Sequence, residues 1–271
     1  MIRVTILGNT SAKPSLEGHP SSQIVSISGG QARGSSMFLM DAGEGAQIQM
    51  MRMHLSPAKL SAVFISHLHG DHVMGLFPLL QTLCFDRHEP LKIFAPAPFG
   101  EILDGFLKYF VERKDYDIVW VETNPSAPEL VYEDDRATVT SIPLNHRVPC
   151  CGFLFREKKA EKIHPPSSSY AYISDTDSSA DLEDPDSLLI QQIKGVDLLY
   201  HDTTYDDSYT ALARRYAHST ASEAATVALK AGAGRLLIGH LSARYRDADL
   251  LLRQARTIFP NTFFAEECHS Y

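Results

Sequence analysis

Apolar and polar positions alternate almost from the first residue, and this two-residue period predicts strands over "RVTIL" (3–7), "SQIVSIS" (22–28) and "SMFLMD" (36–41). The period then lengthens to that of a helix in "GAQIQMMRMHL" (45–55). A strand, "LSAVFIS" (60–66), runs straight into the polar cluster "HLHGDH" (67–72), and a helix over "GLFPLLQTLCF" follows. The middle of the chain repeats the alternation with strand "LKIFA", helix "FGEILDGFLKYFV", and the strand-like runs "DYDIVWVE", "PELVYE", "ATVTSIPL" and "CGFLF". The last third predicts strands "YAYIS" and "VDLLY", a helical stretch over 206–216, helix "STASEAATVALKAG" with Gly232 as its C-cap signal, strand "RLLIGH" and helix "DADLLLRQARTIF". Two halves, each with several strands and then helices, predict an α/β fold in which two β-sheets pack face to face with helices outside. No repeat of fixed period and no long low-complexity linker interrupts the chain, so a single domain over 1–271 is expected. The most loop-like stretch is "REKKAEKIHPPSSS", 156–169.

Several of these strands end on a residue able to bind metal: His67, His146, Asp175, His201 and His240. Strand ends along one sheet edge can converge on one site. His67 and His69 are two apart, so an extended segment points both to the same side, where they can chelate one ion. Gly70 turns the chain and lets Asp71 and His72 face a second ion. Burying three imidazoles and a carboxylate together without a metal would be costly, which makes the cluster a metal site rather than an ornamented loop. Singly, the other residues are ambiguous: His146 and His240 read equally as satisfied strand-end histidines, and Asp175 as a turn cap. Together they complete a count. His67, His69 and His146 serve one ion, Asp71, His72 and His240 the other, and Asp175 bridges the two. Imidazole and carboxylate without thiolate favour zinc, with Mn2+ or Fe2+ as the alternatives. Two ions about 3.5–4 Å apart clamp the attacking and leaving oxygens of a phosphoryl displacement, and a water between them loses a proton near neutral pH.

Composition narrows the setting. A hydrophobic content of 44% over 271 residues suffices for a sizeable core. The formal charge of −8 argues against a protein that coats nucleic acid through a general basic surface, though a local basic patch fits within it. Of the four cysteines, Cys150 and Cys151 are neighbours, so reduced thiols are expected rather than a disulfide scaffold. The chain opens on a strand pattern without an apolar leader, and no apolar run has the length of a membrane span; a cytoplasmic location away from membranes is expected.

The segment "HLHGDH" resembles the signature motif of the metallo-β-lactamase superfamily, and the chain is similar to its ribonuclease Z branch, which cuts the 3′ trailer from precursor tRNA. The resemblance extends through "LGNTSA" (7–12), "DAGEGAQIQ" (41–49), "PLNHRVPCCGFLF" (143–155), "SDT" (174–176), "HST" (218–220) and "GHLSARY" (239–245). It implies an αββα sandwich, a dinuclear zinc centre held by the seven residues already named, and a homodimer. It also implies that Asp71 orients the attacking hydroxide or acts as general base. His218 would give a proton to the leaving oxygen, with Asp202 of "HDTT" as its carboxylate partner. Without the resemblance, His218 reads equally as a helix-start histidine ahead of a Ser219 cap. Asp41, in a strand-to-helix turn, would brace a metal-bound histidine from behind.

Three departures from the family pattern stand out. Asp202 occupies a position usually held by Glu, one methylene longer. The loop after the first strand reads "KPSLEGHPSS", with Lys13 displaced and Glu17 near the cleft, where a lysine and an Arg-Asn pair are common. Most conspicuously, "KAEKIHPPSSS" replaces a long arm that grips the tRNA elbow from the partner subunit. The expected activity is therefore that of a zinc-dependent phosphodiesterase acting on precursor tRNA 3′ ends, with RNA preference set by Lys13, Arg147 and Arg244. The alternative is an armless phosphodiesterase that opens small cyclic phosphates or nucleotides. A true β-lactamase is disfavoured because those enzymes are generally exported, and a decayed, non-catalytic scaffold is disfavoured because all seven ligand positions are filled.

Overall fold

The strands assemble into two sheets in a computed structural model that describes residues 1–16, 18–28, 35–158 and 168–271. The first sheet has six strands in sequence order: β1 (Ile2–Gly8), β2 (Ser22–Ser28), β3 (Ser35–Ala42), β4 (Ala62–Phe64), β5 (Leu91–Ala95) and β6 (Ile118–Glu122). From β3 to β6 neighbours are parallel, and each crossover carries a helix: Ala46–Arg52, Leu76–Asp86 and Phe99–Phe110. Leu76, Leu79, Leu80 and Leu83 recur at helical spacing and pack with Leu39, Val63, Ile65 and Ile93 from the strands.

The second sheet runs β7 (Glu129–Glu133), β8 (Ala137–Pro143), β9 (Cys151–Glu157), β10 (Ser169–Ile173), β11 (Leu198–Asp202), β12 (Arg235–Gly239) and β13 (Thr262–Phe264). β7 to β10 form an antiparallel meander, whereas β10 to β13 are parallel. Helix Ala221–Ala231 presents Ala221, Ala225 and Ala228 to Ile173, Leu199 and Ile238; methyl side chains let it lie close to the sheet. The two sheets belong to two compact units, one built mainly of Asn124–Glu266, the other of Arg3–Ile27, Ser35–Thr123 and Glu267–Tyr271. The fold class is α/β with two mixed sheets flanked by helices.

Gly232 ends helix Ala221–Ala231 in the left-handed region at φ 63°, as its position after an apolar helical run predicts. The start of that helix corrects the sequence reading. Thr220, not Ser219, is the N-cap, in a reciprocal box with Glu223. Ser219 instead donates its hydroxyl to the Thr176 carbonyl. The predicted 60–66 strand shortens to Ala62–Phe64, so Ser66, His67 and His69 follow it outside the strand, while Ile65 stays in the core. The 206–216 stretch divides into a 3-10 turn, Asp207–Tyr209, and helix Thr210–Tyr216. None of the four cysteines is in a disulfide, and among the described residues no helix is long and apolar enough to cross a membrane. Glu17 and 159–167 of the shortened arm lie outside the described residues.

Candidate metal centre

In the unit built on the six-stranded sheet, the site is organised behind the histidines by Asp41. At the end of β3 and fully buried, Asp41 adopts φ 50°, a left-handed conformation that Asp tolerates better than most residues. Its carboxylate accepts from Ser66 N at 2.7 Å, Ser66 Oγ at 2.8 Å and His72 Nδ1 at 2.7 Å. With Nδ1 donating to a carboxylate, His72 keeps its lone pair on Nε2, which lies 3.7 Å from Asp71 Oδ2. Ser66 Oγ has spent its proton on Asp41, so at 3.0 Å from His67 Nδ1 it accepts, and His67 too keeps its lone pair on Nε2. That nitrogen is 3.0 Å from His69 Nδ1. Two imidazole nitrogens so close suit one shared cation. Asp71, in the turn Gly70–Val73, accepts a 2.7 Å bond from the Ala12 amide. The glycines of "DAGEG" have a mechanical role: a Cβ on Gly43 would come within 2.6 Å of the Asp71 carbonyl, so only glycine lets this turn press against the end of β3.

In the other unit, the parallel strands β10, β11 and β12 deliver Asp175, Asp202 and His240 at their C-terminal ends, where such sheets place their sites. His146 follows β8, and His218 lies between helices Thr210–Tyr216 and Ala221–Ala231. Oxygens or ring nitrogens of Asp175, Asp202, His218 and His240 all lie within 4.8 Å of one another. His146 donates from Nδ1 to the Ala217 carbonyl at 2.9 Å and turns Nε2 toward Asp175 Oδ2 at 3.9 Å. Thr204 Oγ1 donates to Asp202 at 2.6 Å and accepts from His240 Nδ1 at 2.8 Å, which turns His240 Nε2 toward Asp175 Oδ1 at 3.4 Å. The two oxygens of Asp175 thus face different histidines. His201 does not join this group: it is buried, bonded to the Asp202 carbonyl and 3.2 Å from Ser178 Oγ, as alternation along β11 requires.

Asp202, although shorter than the family's usual Glu, reaches His218 Nδ1 at 3.0 Å. It also accepts from the amides of Thr176, Thr204 and Ser219. Burial works to raise its pKa, but the charge of His218 and hydrogen bonds from His218 and His240 outweigh burial and hold the carboxyl below the usual range. His218 shifts the opposite way. Burial disfavours its charge, yet the carboxylates of Asp202 and Asp175 raise its pKa above the ordinary histidine value. Sequence reading missed Ser66, Thr204 and the Ala217 carbonyl, which fix ring tautomers; only Thr204, two residues after Asp202 in "HDTT", left a trace.

The chain matches the β-lactamase superfamily domain over residues 37–241. Ribonuclease Z of Bacteroides fragilis strain YCH46 is 36% identical over 304 residues, covering 97% of this chain and 96% of that protein. The chain belongs to the ribonuclease Z family. Porphyromonas gingivalis strain W83 has a ribonuclease Z that is 35% identical over 302 residues, with 97% of this chain and 96% of the relative covered. The crystal structure of the short form of human tRNase Z superposes with a TM-score of 0.81 at 26% identity, over 99% of this chain and 98% of that one. Both bacterial alignments exceed the 271 residues of this chain, so these ribonuclease Z relatives carry segments it lacks. In this fold the histidine and aspartate donors fit a divalent metal: four of the five candidate ligand histidines, His67, His72, His146 and His240, have Nδ1 engaged and Nε2 left as the ligand atom, and Asp202 orients His218.

Proposed function

We propose that the protein is a zinc-dependent endoribonuclease that hydrolyses a phosphodiester at the 3′ end of precursor tRNA. The observation that carries the reading is the Asp175–Asp202–His218–His240 cluster: a histidine whose protonated form two carboxylates favour, beside imidazoles with presented Nε2 atoms. The names of the relatives support the substrate. Two zinc ions, one held by His67, His69 and His146, the other by Asp71, His72 and His240, with Asp175 between them, would supply Lewis acidity and lower the pKa of a water. Asp71, fixed by the Ala12 amide, orients the attacking water and takes its proton. His218, anchored through Nδ1 by Asp202, donates a proton from Nε2 to the leaving oxygen. We further infer a cytoplasmic homodimer, in which the thiols stay reduced.

One observation favours a second reading, an armless phosphodiesterase for small cyclic phosphates or nucleotides. β9 ends at Glu157 and β10 begins at Ser169, and the Glu157 amide already bonds the Ser168 carbonyl. The residues between, even fully extended out and back, reach no further than about 20 Å. Turnover of precursor tRNA and of a cyclic nucleotide by the same zinc-loaded preparation separates the two. The endoribonuclease reading predicts cleavage at the tRNA 3′ end at the higher kcat/KM; hydrolysis of the cyclic nucleotide alone would replace it with the second.

A further inference from the structure

Exposed arginines and tyrosines border the His218 cluster in a protein whose formal charge is −8. The Arg244 guanidinium lies 4.4 Å from the centre of the Tyr209 ring and 5.2 Å from that of Tyr205. Tyr205 in turn lies 6.0 Å, ring to ring, from His218. A second group sits just before His218 in the chain. There Arg147 and Arg215 lie 5.9 and 5.6 Å from the Tyr216 ring. Arg147 follows His146, whose ring is tied to the Ala217 carbonyl, so this group is anchored to the same cluster. Tyr209 and Tyr216 remain 41% and 37% exposed, enough to offer a ring face.

The neighbouring Arg214 shows what a structural arginine does here: its guanidinium pairs with Asp177 at 3.0 Å and with Glu223. Arg147, Arg215 and Arg244 rest on aromatic faces instead, held in place by cation–π attraction and, for Arg244, by a 3.2 Å bond from Nε to Ser242 Oγ. An aromatic face next to an exposed cation matches one nucleotide: the ring stacks the base, whatever its identity, and the guanidinium pairs with the phosphate.

We propose that Tyr209 with Arg244, and Tyr216 with Arg147 and Arg215, are two nucleotide subsites that bind the single strand flanking the reacting phosphate. The proposal rests on the endoribonuclease reading and deepens it, by naming single-stranded RNA as the form bound beside the cluster. On docking, each guanidinium leaves its ring for a phosphate, and a base takes its place on the tyrosine. These subsites supply locally the grip that a long arm would supply at a distance.

The test compares zinc-loaded Asp71→Ala protein with the same protein carrying Tyr209→Leu, Tyr216→Leu, Tyr216→Phe or Arg244→Ala. Ligands are a short single-stranded RNA and an abasic strand of equal length. Either Tyr→Leu change is expected to weaken RNA binding about five- to a hundredfold and leave the abasic strand unaffected, and Tyr216→Phe to retain affinity. Arg244→Ala should weaken both strands and lower the salt slope by about 0.7. Unchanged RNA affinity in the tyrosine variants, or equal losses on both strands, overturns the subsites. Cleavage of precursor tRNA by the wild type is measured in parallel. If it persists while the tyrosine variants bind as the parent does, only the subsites fail; if the wild type neither binds nor cleaves RNA, the endoribonuclease reading falls and the subsites with it.

Discussion

Chemistry at this site depends on single oxygen atoms that decide which nitrogen of a ring carries a proton. Asp202 holds His218 by Nδ1, so His218→Ala removes the proposed proton donor without removing a proposed ligand. Turnover on RNA is expected to fall by about 10²- to 10⁴-fold with metal content unchanged. An activated aryl phosphodiester, whose leaving group scarcely needs a proton, should lose far less; equal losses on both substrates would refute the proton-donor role. Asp41→Asn probes the other unit. It sets an amide NH2 against the Ser66 and His72 donors in a fully buried place, which should cost about 1–3 kcal/mol of stability and 10- to 100-fold in metal affinity, read by thermal unfolding and zinc titration. At this scale much was legible in the sequence, because ligand chemistry demands particular side chains at particular spacings, as in "HLHGDH". The contacts that orient those side chains were not. A backbone carbonyl such as that of Ala217 can belong to any residue, so its bond to His146 leaves no mark in the sequence.

Elements bring these atoms together, and glycine decides how closely they approach. Gly43→Ala would push a methyl group into the Asp71 carbonyl and into Pro20, so it should lower both the melting temperature and zinc affinity. Gly105→Ala, inside helix Phe99–Phe110 with nothing within 4 Å of its added methyl, should instead raise stability by about 0.5–1 kcal/mol. Stabilisation at both positions would show that the close approach at Gly43 carries no strain. The long periodic elements, such as Leu76–Asp86 and Ala221–Ala231, were readable because one face repeats over several turns. Thr262–Phe264, Ser179–Glu183 and Leu188–Gln192 were not, since a three-residue strand and a five-residue helix each hold less than two periods of their own pattern. The misplaced cap had a readable signal. Glu223 stands three residues after Thr220, and the reciprocal box it forms singles out that residue over Ser219.

For the whole molecule, charge and the short β9–β10 connection govern how RNA is held. With a formal charge of −8 and no room for a long basic arm, binding to tRNA-sized substrates should be weak and shallowly salt-dependent. A titration of precursor tRNA against zinc-loaded Asp71→Ala protein at several salt concentrations checks this, and submicromolar binding with a steep slope would place the tRNA contact on another surface. The central claim, hydrolysis of precursor tRNA by a dinuclear zinc centre, is tested most directly by stripping the protein with chelator and measuring precursor cleavage as zinc is returned. The stripped protein is expected to be inert, with activity that rises until two equivalents per chain are bound and a product ending at the tRNA 3′ terminus. Cleavage by the stripped protein, or full activity at one equivalent, would contradict it.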